Sequence, residues 1–233
     1  MEPFLNFQVI ADNFTYFMIG RYPNGPLGGL GLTIYLAVIS CLLSVVGGLI
    51  LGLLSISKNR LVRWPAVVFI NAIRGLPLLM VIFWMYFLLP KLMGKTTPES
   101  QTVIMGLTVF TSAYMSQIVR AGIEGIPKGQ TEAALSTGLK PWHAMVYIVL
   151  PQGLRNMIPS FVNQFVSLIK DTSLAFIVGV SELTHVGTQI NNRTMAYPTE
   201  IFIFIACVYF VLCYAFTSLS RLLERKLTWS KQI

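Results

Sequence analysis

Apolar residues fall into five blocks separated by short polar stretches, at about 29–54, 65–89, 103–123, 151–169 and 199–219. Each approaches the roughly 20 residues a helix needs to cross a bilayer. The third carries polar residues on one side, and the fourth is more polar and contains Pro159. The pattern predicts an all-α membrane protein of about five transmembrane helices. A further apolar stretch, 174–180, is too short to cross and predicts a re-entrant or interfacial turn. In the first block Gly48 and Gly52, with Gly47 beside them, place small residues four apart. Such pairs let helix backbones approach closely in lipid.

Composition agrees with a lipid solvent. The chain is 55% hydrophobic and 11% charged, with a mean hydropathy of +0.68, whereas soluble domains carry roughly 25% charged residues. The net charge of +8 invites a nucleic-acid partner. The basic residues lie between the apolar blocks, however, where the positive-inside rule accounts for them. One side collects Lys58, Arg60 and Arg63, then Arg120, Lys128, Lys140 and Arg155, and finally Arg221, Arg225, Lys226 and Lys231. Arg21, Lys91, Lys95, Lys170 and Arg193 fall on or towards the other side, and Arg74 lies within the second block. The N-terminus is therefore expected outside and the C-terminus in the cytoplasm, as an odd number of crossings requires.

Three regions follow. Residues 1–28 form an outer-surface segment, amphipathic through Phe4, Phe7, Phe14, Tyr16 and Phe17, and redirected by the Pro23-Asn24-Gly25-Pro26 turn. Residues 29–220 form the membrane domain, with a long cytoplasmic loop at about 121–151. Residues 221–233 form a cytoplasmic tail. The opening Met1-Glu2-Pro3 does not read as a cleaved signal peptide. Cys41, Cys207 and Cys213 lie inside apolar blocks with neither disulfide nor metal-ligand spacing, so they read as packing residues and no metal site is expected. Gly94-Lys95-Thr96 ends like a phosphate-binding loop, but that motif needs a glycine at position 89, where the chain has Leu89. If the protein works against a gradient, its energy must then come from elsewhere.

The cytoplasmic loop carries the most specific pattern: Glu132-Ala133-Ala134, then Gly138, then Ile148-Val149-Leu150-Pro151. Glu132 to Leu135 favour helix, Gly138 suits a left-handed helix end, and Pro141 suits the first turn of a second helix. Pro151 marks the entry to the fourth block. This spacing resembles the EAA loop of binding-protein-dependent ABC importer permeases. The stretches Arg120-Ala121-Gly122-Ile123-Glu124-Gly125-Ile126-Pro127-Lys128-Gly129-Gln130, Arg74-Gly75-Leu76-Pro77-Leu78-Leu79 and Lys170-Asp171-Thr172-Ser173-Leu174 resemble its polar amino acid branch, as does the ending Leu223-Glu224-Arg225-Lys226-Leu227. The resemblance covers nearly the whole chain from about Gly28. It implies a coupling helix between helices 3 and 4, in which Glu132, Ala133, Ala134, Gly138 and His143 meet a cytoplasmic ATPase. It also implies a second permease subunit, identical or homologous, two ATPase subunits that hold the ATP and Mg, and an external solute-binding protein. This chain would then be a multi-pass protein of the bacterial inner membrane that holds no cofactor and catalyses no bond chemistry. One position departs from the branch. The third helix often reads Ala-Tyr-x-x-Glu there, whereas this chain has Ala113-Tyr114-Met115-Ser116-Gln117.

Polar groups inside apolar blocks mark a pathway or a partner. Ser112, Ser116 and Arg120 recur every four residues, with Gln117 beside them. Asn163, Ser167, Lys170 and Asp171 recur at three and four. With Arg74 they form the candidate substrate pathway. Hydrogen bonding between helices is the competing reading for the serines and Asn163. An ion pair is the competing reading for Lys170 with Asp171, capping of carbonyls freed by Pro77 for Arg74, and snorkelling for Arg120. His185 reads as a loop residue. Two other functions remain: a secondary amino acid transporter driven by an ion gradient, and a membrane scaffold. The first would show inverted repeats, and neither explains the EAA-like loop. The cargo implied is a polar amino acid, with a lean to acidic or neutral ones from Gln117 and the cations.

Overall fold

The computed structural model describes residues 7–229. The chain is helical, with two isolated β-bridges among the described residues, Gly20 to Leu27 and Gly29 to Glu182. Two short helices, α1 (Gln8–Asp12) and α2 (Phe14–Ile19), precede α3 (Gly29–Ser55) and α4 (Arg60–Arg74). Then come α5 (Leu78–Phe83), a π-helical turn Trp84–Leu88, and α6 (Leu89–Met93). α7 (Glu99–Glu124) leads to α8 (Lys128–Ser136) and α9 (Pro141–His143), a second π-helical turn Ala144–Val149, and α10 (Leu150–Asp171). A 3₁₀ turn, Thr172–Val178, precedes α11 (Leu183–Thr194) and α12 (Pro198–Trp229). Four helical stretches are long and apolar enough to span a membrane, and five if Arg60–Arg74 and Leu78–Met93 form one broken span.

Both π turns have the same cause. Pro90 and Pro151 lack an N–H, and their rings press on the carbonyl four residues back. The backbone answers by widening: Leu89 N–H reaches Trp84 O and Leu150 N–H reaches Met145 O, five residues back in each case. Hence Pro151 does not open the fourth span. Helix runs on from Pro141 to Val178, so the second short helix expected in the loop is the start of that span. Stretch 174–180 continues this rod as a 3₁₀ turn that Gly179 ends in the left-handed region. The second block starts at Arg60, where Asn59 Oδ1 caps Leu61 N–H at 2.9 Å. It breaks at 75–77, because the residue before a proline is pushed out of the α region. The last helix continues across residue 220 to Trp229, so the first part of the expected tail is helix.

The described residues gather into two compact units. One comprises 7–42, 77–108 and 165–216, and the other 43–76, 109–164 and 217–229. In the first unit the core joins Val9, Ile10 and Phe17 to Leu183, Val186 and Ile190 of α11 and to Ile201 and Ile205 of α12. Phe17 is wholly buried and Tyr16 hydrogen-bonds Gln189, so the N-terminal segment is anchored in this core. Only Phe7 and Phe14 of the expected apolar face are exposed, and Phe4 lies outside the described residues. Gly29 takes φ +56°, and a Cβ there would also collide with the carbonyl of Phe17, so only glycine fits. In the second unit α3 and α7 pack through the expected small residues. A Cβ on Gly48 would stand 2.5 Å from Met115 Cβ, one on Gly52 2.6 Å from Val119 Cγ1, and one on Gly47 would overlap Ser112 Oγ. Val119, Ile123, Val149 and Met157 close the core beside this seam.

Candidate functional site

Two surfaces of the second unit bring the sequence candidates together. The first is the polar loop. α8 ends in a hydrogen-bonded cap: Leu139 N–H reaches back to Ala134 O at 3.3 Å and Gly138 N–H to Leu135 O at 3.0 Å. Gly138 sits at φ +85° with open space where a Cβ would go. Ala134 is buried and seats the helix, whereas Glu132 and Ala133 face outward. His143 stacks between Trp142 and Tyr147, at ring-centroid distances of 3.5 and 5.8 Å. Leu135, Trp142, Val146 and Tyr147 are exposed beside it. A polar loop thus displays an aromatic and aliphatic patch with one carboxylate at its edge, the composition of a protein contact.

The second surface is a cavity of about 430 Å³ between α7 and α10, a volume suited to a small ligand. Gln117 lines it, with Ala121, Gly122, Asn156, Met157 and Ser160. Asn156 and Ser160 lie inside the expected fourth block but are missing from the sequence candidates, which on this helix begin at Asn163 and so cover only the later part of this face. Counted on the full helix, Asn156, Ser160, Asn163, Ser167 and Lys170 recur at four and three residues and form one polar ridge on α10. Arg74 holds its guanidinium 5.4 Å from the centre of the Tyr114 ring, one turn along α7 from Gln117. Ser112 and Ser116 turn the other way. Both are buried, Ser112 against Gly47 of α3, and Ser116 Oγ donates to Ala113 O of its own helix at 2.7 Å. Arg120 Nε pairs with Glu124 Oε1 at 2.9 Å, one turn on. Lys170 is exposed, Asp171 is half-buried, and neither lines the cavity. Among the described residues no group of His, Cys, Asp and Glu could hold a metal ion.

One buried constellation had no sequence candidate. Glu182, fully shielded from water, caps α11: its carboxylate accepts from Thr184 N–H and His185 N–H at 2.8 Å and from Tyr209 O–H at 3.0 Å. Leu183 N–H donates to Thr33 Oγ1 at 3.1 Å and Gly29 N–H to Ser181 O at 2.9 Å, so this corner ties α3, α11 and α12. Burial pushes the Glu182 carboxyl up to about 7, against the pull of its hydrogen-bond donors. His185 belongs to α11 rather than to a loop. An acidic residue at the head of a polar helix was the available signal, since Asp, Asn, Ser and Thr are the usual caps.

Residues 44–229 match the family model described as binding-protein-dependent transport system inner membrane component. The chain is 41% identical over 216 residues to the "Probable glutamine ABC transporter permease protein GlnP" of Bacillus subtilis (strain 168), covering 90% of this chain and 99% of that one. It is 30% identical over 207 residues to the glutamate/aspartate import permease protein GltK of Escherichia coli O157:H7, with 86% and 92% covered. Its fold overlays a crystal structure described as an amino acid ABC transporter with histidines, with a TM-score of 0.84 and 29% identity over 96% of this chain and 100% of that one.

Proposed function

The chain belongs to the family of binding-protein-dependent transport system inner membrane components, and on that premise we propose that cargo passes along the Gln117–Asn156–Ser160 face while α8 receives motion from an ATPase. The chain is a multi-pass permease subunit of an amino acid ATP-binding-cassette importer in the inner membrane. It is the transport component of such a system rather than its catalytic one.

The observation that carries the coupling role is the loop: a helix seated by Ala134, ended by Gly138, and flanked by exposed Leu135, Trp142, Val146 and Tyr147. A groove on a cytoplasmic ATPase would cover these apolar groups and read Glu132. His143, stacked between its neighbours, stiffens the patch. The N-terminus is outside and the C-terminus inside, which puts this loop with the ATPases. Two ATPase subunits hold the ATP and Mg, a second permease completes the membrane unit, and a solute-binding protein delivers cargo from outside.

The pathway role rests on the polar ridge of α10. Exposed Ser160 and Asn163 on a membrane helix suit water, cargo or a second permease better than lipid, and Asn156 lines the cavity beside them. Ser167, Lys170 and Asp171 extend this ridge along α10, and Arg74 stands over Tyr114 of α7, one turn from Gln117. Ser112 and Ser116 act as packing residues in the α3–α7 seam, and Arg120 is satisfied by Glu124. The amide of Gln117 and the named relatives support a neutral or acidic polar amino acid of glutamine or glutamate type.

The test is reconstitution of the complete complex with Gly138→Val or Glu132→Lys. Both variants should assemble, leave amino acid binding to the external protein unchanged, and lower substrate-stimulated ATP hydrolysis and uptake. Full coupled transport by both would remove the loop from the power-transmitting contact. Separately, Asn156→Leu should reduce uptake without reducing basal ATP hydrolysis, and unchanged uptake would take the α7–α10 cavity out of the pathway.

A further inference from the structure

The start of α4 carries charges that its own helix disfavours. A helix N-terminus is a partly positive end that prefers acidic residues. Here the first turn has none, and Lys58, Arg60 and Arg63 crowd it instead, all exposed. Among the described residues neither arginine has an ion-pair partner, since the one pair there is Arg120 with Glu124. The Asn59 side chain caps Leu61 N–H, a role the cations cannot fill because they only donate; their place is the membrane interface that the positive-inside rule expects.

Beside them lies an apolar surface. Leu61 is 85% exposed and Trp64 70%, while Ala66, Ile70 and Ile73 seat the opposite face of α4 in the protein. Arg60, Leu61, Arg63, Trp64 and Pro65 line an open, mostly apolar groove of about 520 Å³. It has an apolar floor and two guanidinium groups at its rim, and it sits where a membrane helix begins.

The geometry points to a site for an anionic phospholipid at the N-terminus of α4. Two planar guanidinium groups suit a phosphodiester, which accepts paired N–H donors. Leu61 and Pro65 would receive the first acyl carbons, and Trp64 lies at the level where tryptophan is favoured in bilayers. A soluble anion would match the rim but leave the floor exposed to water. A zwitterionic lipid would match the floor but bring its own cation to the arginines. Only an anionic amphiphile satisfies both parts.

The assembled transporter is placed in phosphatidylcholine nanodiscs containing brominated phosphatidylglycerol or brominated phosphatidylcholine, and tryptophan quenching is followed against the fraction of brominated lipid. The Trp64→Phe complex serves as reference, so that subtraction leaves the Trp64 signal. Near a surface each basic residue favours anionic lipid about fivefold, so two predict a preference on the order of thirtyfold for phosphatidylglycerol at Trp64. The double variant Arg60→Gln, Arg63→Gln, with helicity and assembly unchanged, should bring the two lipids to near equality. Equal quenching by both lipids in the parent would overturn the site. No quenching at Trp64 by either would also overturn it, because another subunit would then cover this face.

Discussion

Replacing Glu182 by glutamine removes a titratable group from the best-shielded carboxylate among the described residues while keeping its shape. Burial raises this carboxyl from 4.5 to about 7. The folded protein therefore holds a proton that the unfolded chain gives up. Stability gained this way is complete below pH 4.5 and is lost as pH rises through about 7. At ~1.36 kcal/mol per pH unit, that interval corresponds to a loss of ~3 kcal/mol. Glutamine is neutral throughout. It can accept one of the two backbone N–H groups and donate to the Tyr209 oxygen, so it gives up one capping hydrogen bond, ~1 kcal/mol. Parent and Glu182→Gln should be close to parity near pH 5, where the two effects offset. By pH 8 the variant should be the more stable by ~2 kcal/mol, with no further change above that. Unfolding of the purified permease by titration with SDS in mixed micelles, parent and variant side by side from pH 5 to 8.5, measures the difference. A difference that stays constant with pH, or a parent that gains on the variant as pH rises, would refute the reasoning.

Further outcomes follow from other parts of the fold. Gly48→Leu drives a side chain into Met115 Cβ and the backbone at Ser116, and should cost at least the ~1–3 kcal/mol typical of overpacking; normal expression and thermal stability in detergent would contradict the α3–α7 seam. Arg120→Gln breaks only an exposed pair one helical turn apart, so it should change stability by less than ~0.5 kcal/mol in the same assay. Cysteines placed at Lys95 and Arg193 should react with impermeant reagents from outside and those at Lys58 and Lys140 only from inside, and the reverse pattern would overturn the orientation.

What was legible in the chain depended on whether a residue's role was local. Apolar blocks are local, and all five reappear, although the second breaks at 75–77. Gly138 and Pro141 act through their own φ, so the turn after α8 stands where their positions put it. The close approach of α3 was readable from Gly48 and Gly52, but not its partner, because a small residue does not name what it faces. Pro151 misled for a physical reason: proline ordinarily breaks an α-helix, and a wide turn that absorbs it leaves no trace in composition. The stretch 141–150 therefore joined the span unannounced, whereas Asn156 and Ser160 lay within the expected block and only the cavity against α7 singles them out. Ser112 and Ser116 share a face with Arg120 by spacing, yet only three-dimensional packing decides that this face meets glycines. The cap at Glu182 is local and had its signal in an acidic residue at the head of a polar helix, but its burial against Tyr209, far along the chain, had none.

The wide turn at Ala144–Val149 also sets a phase. An α-helix advances its side chains by about 100° per residue, and a π turn holds one residue more than that count allows. The patch formed by Trp142 and Tyr147 and the ridge that begins at Asn156 are therefore offset by one residue from ordinary helical counting. Deleting a single residue within 144–149 would let the rod close into regular helix. The patch and the ridge would keep nearly their present angle, because the surplus residue is absorbed within one turn. Were the same residues to run on as regular α-helix instead, the patch would turn by about 100° against the ridge, so the wide turn before Pro151 decides which way the patch faces.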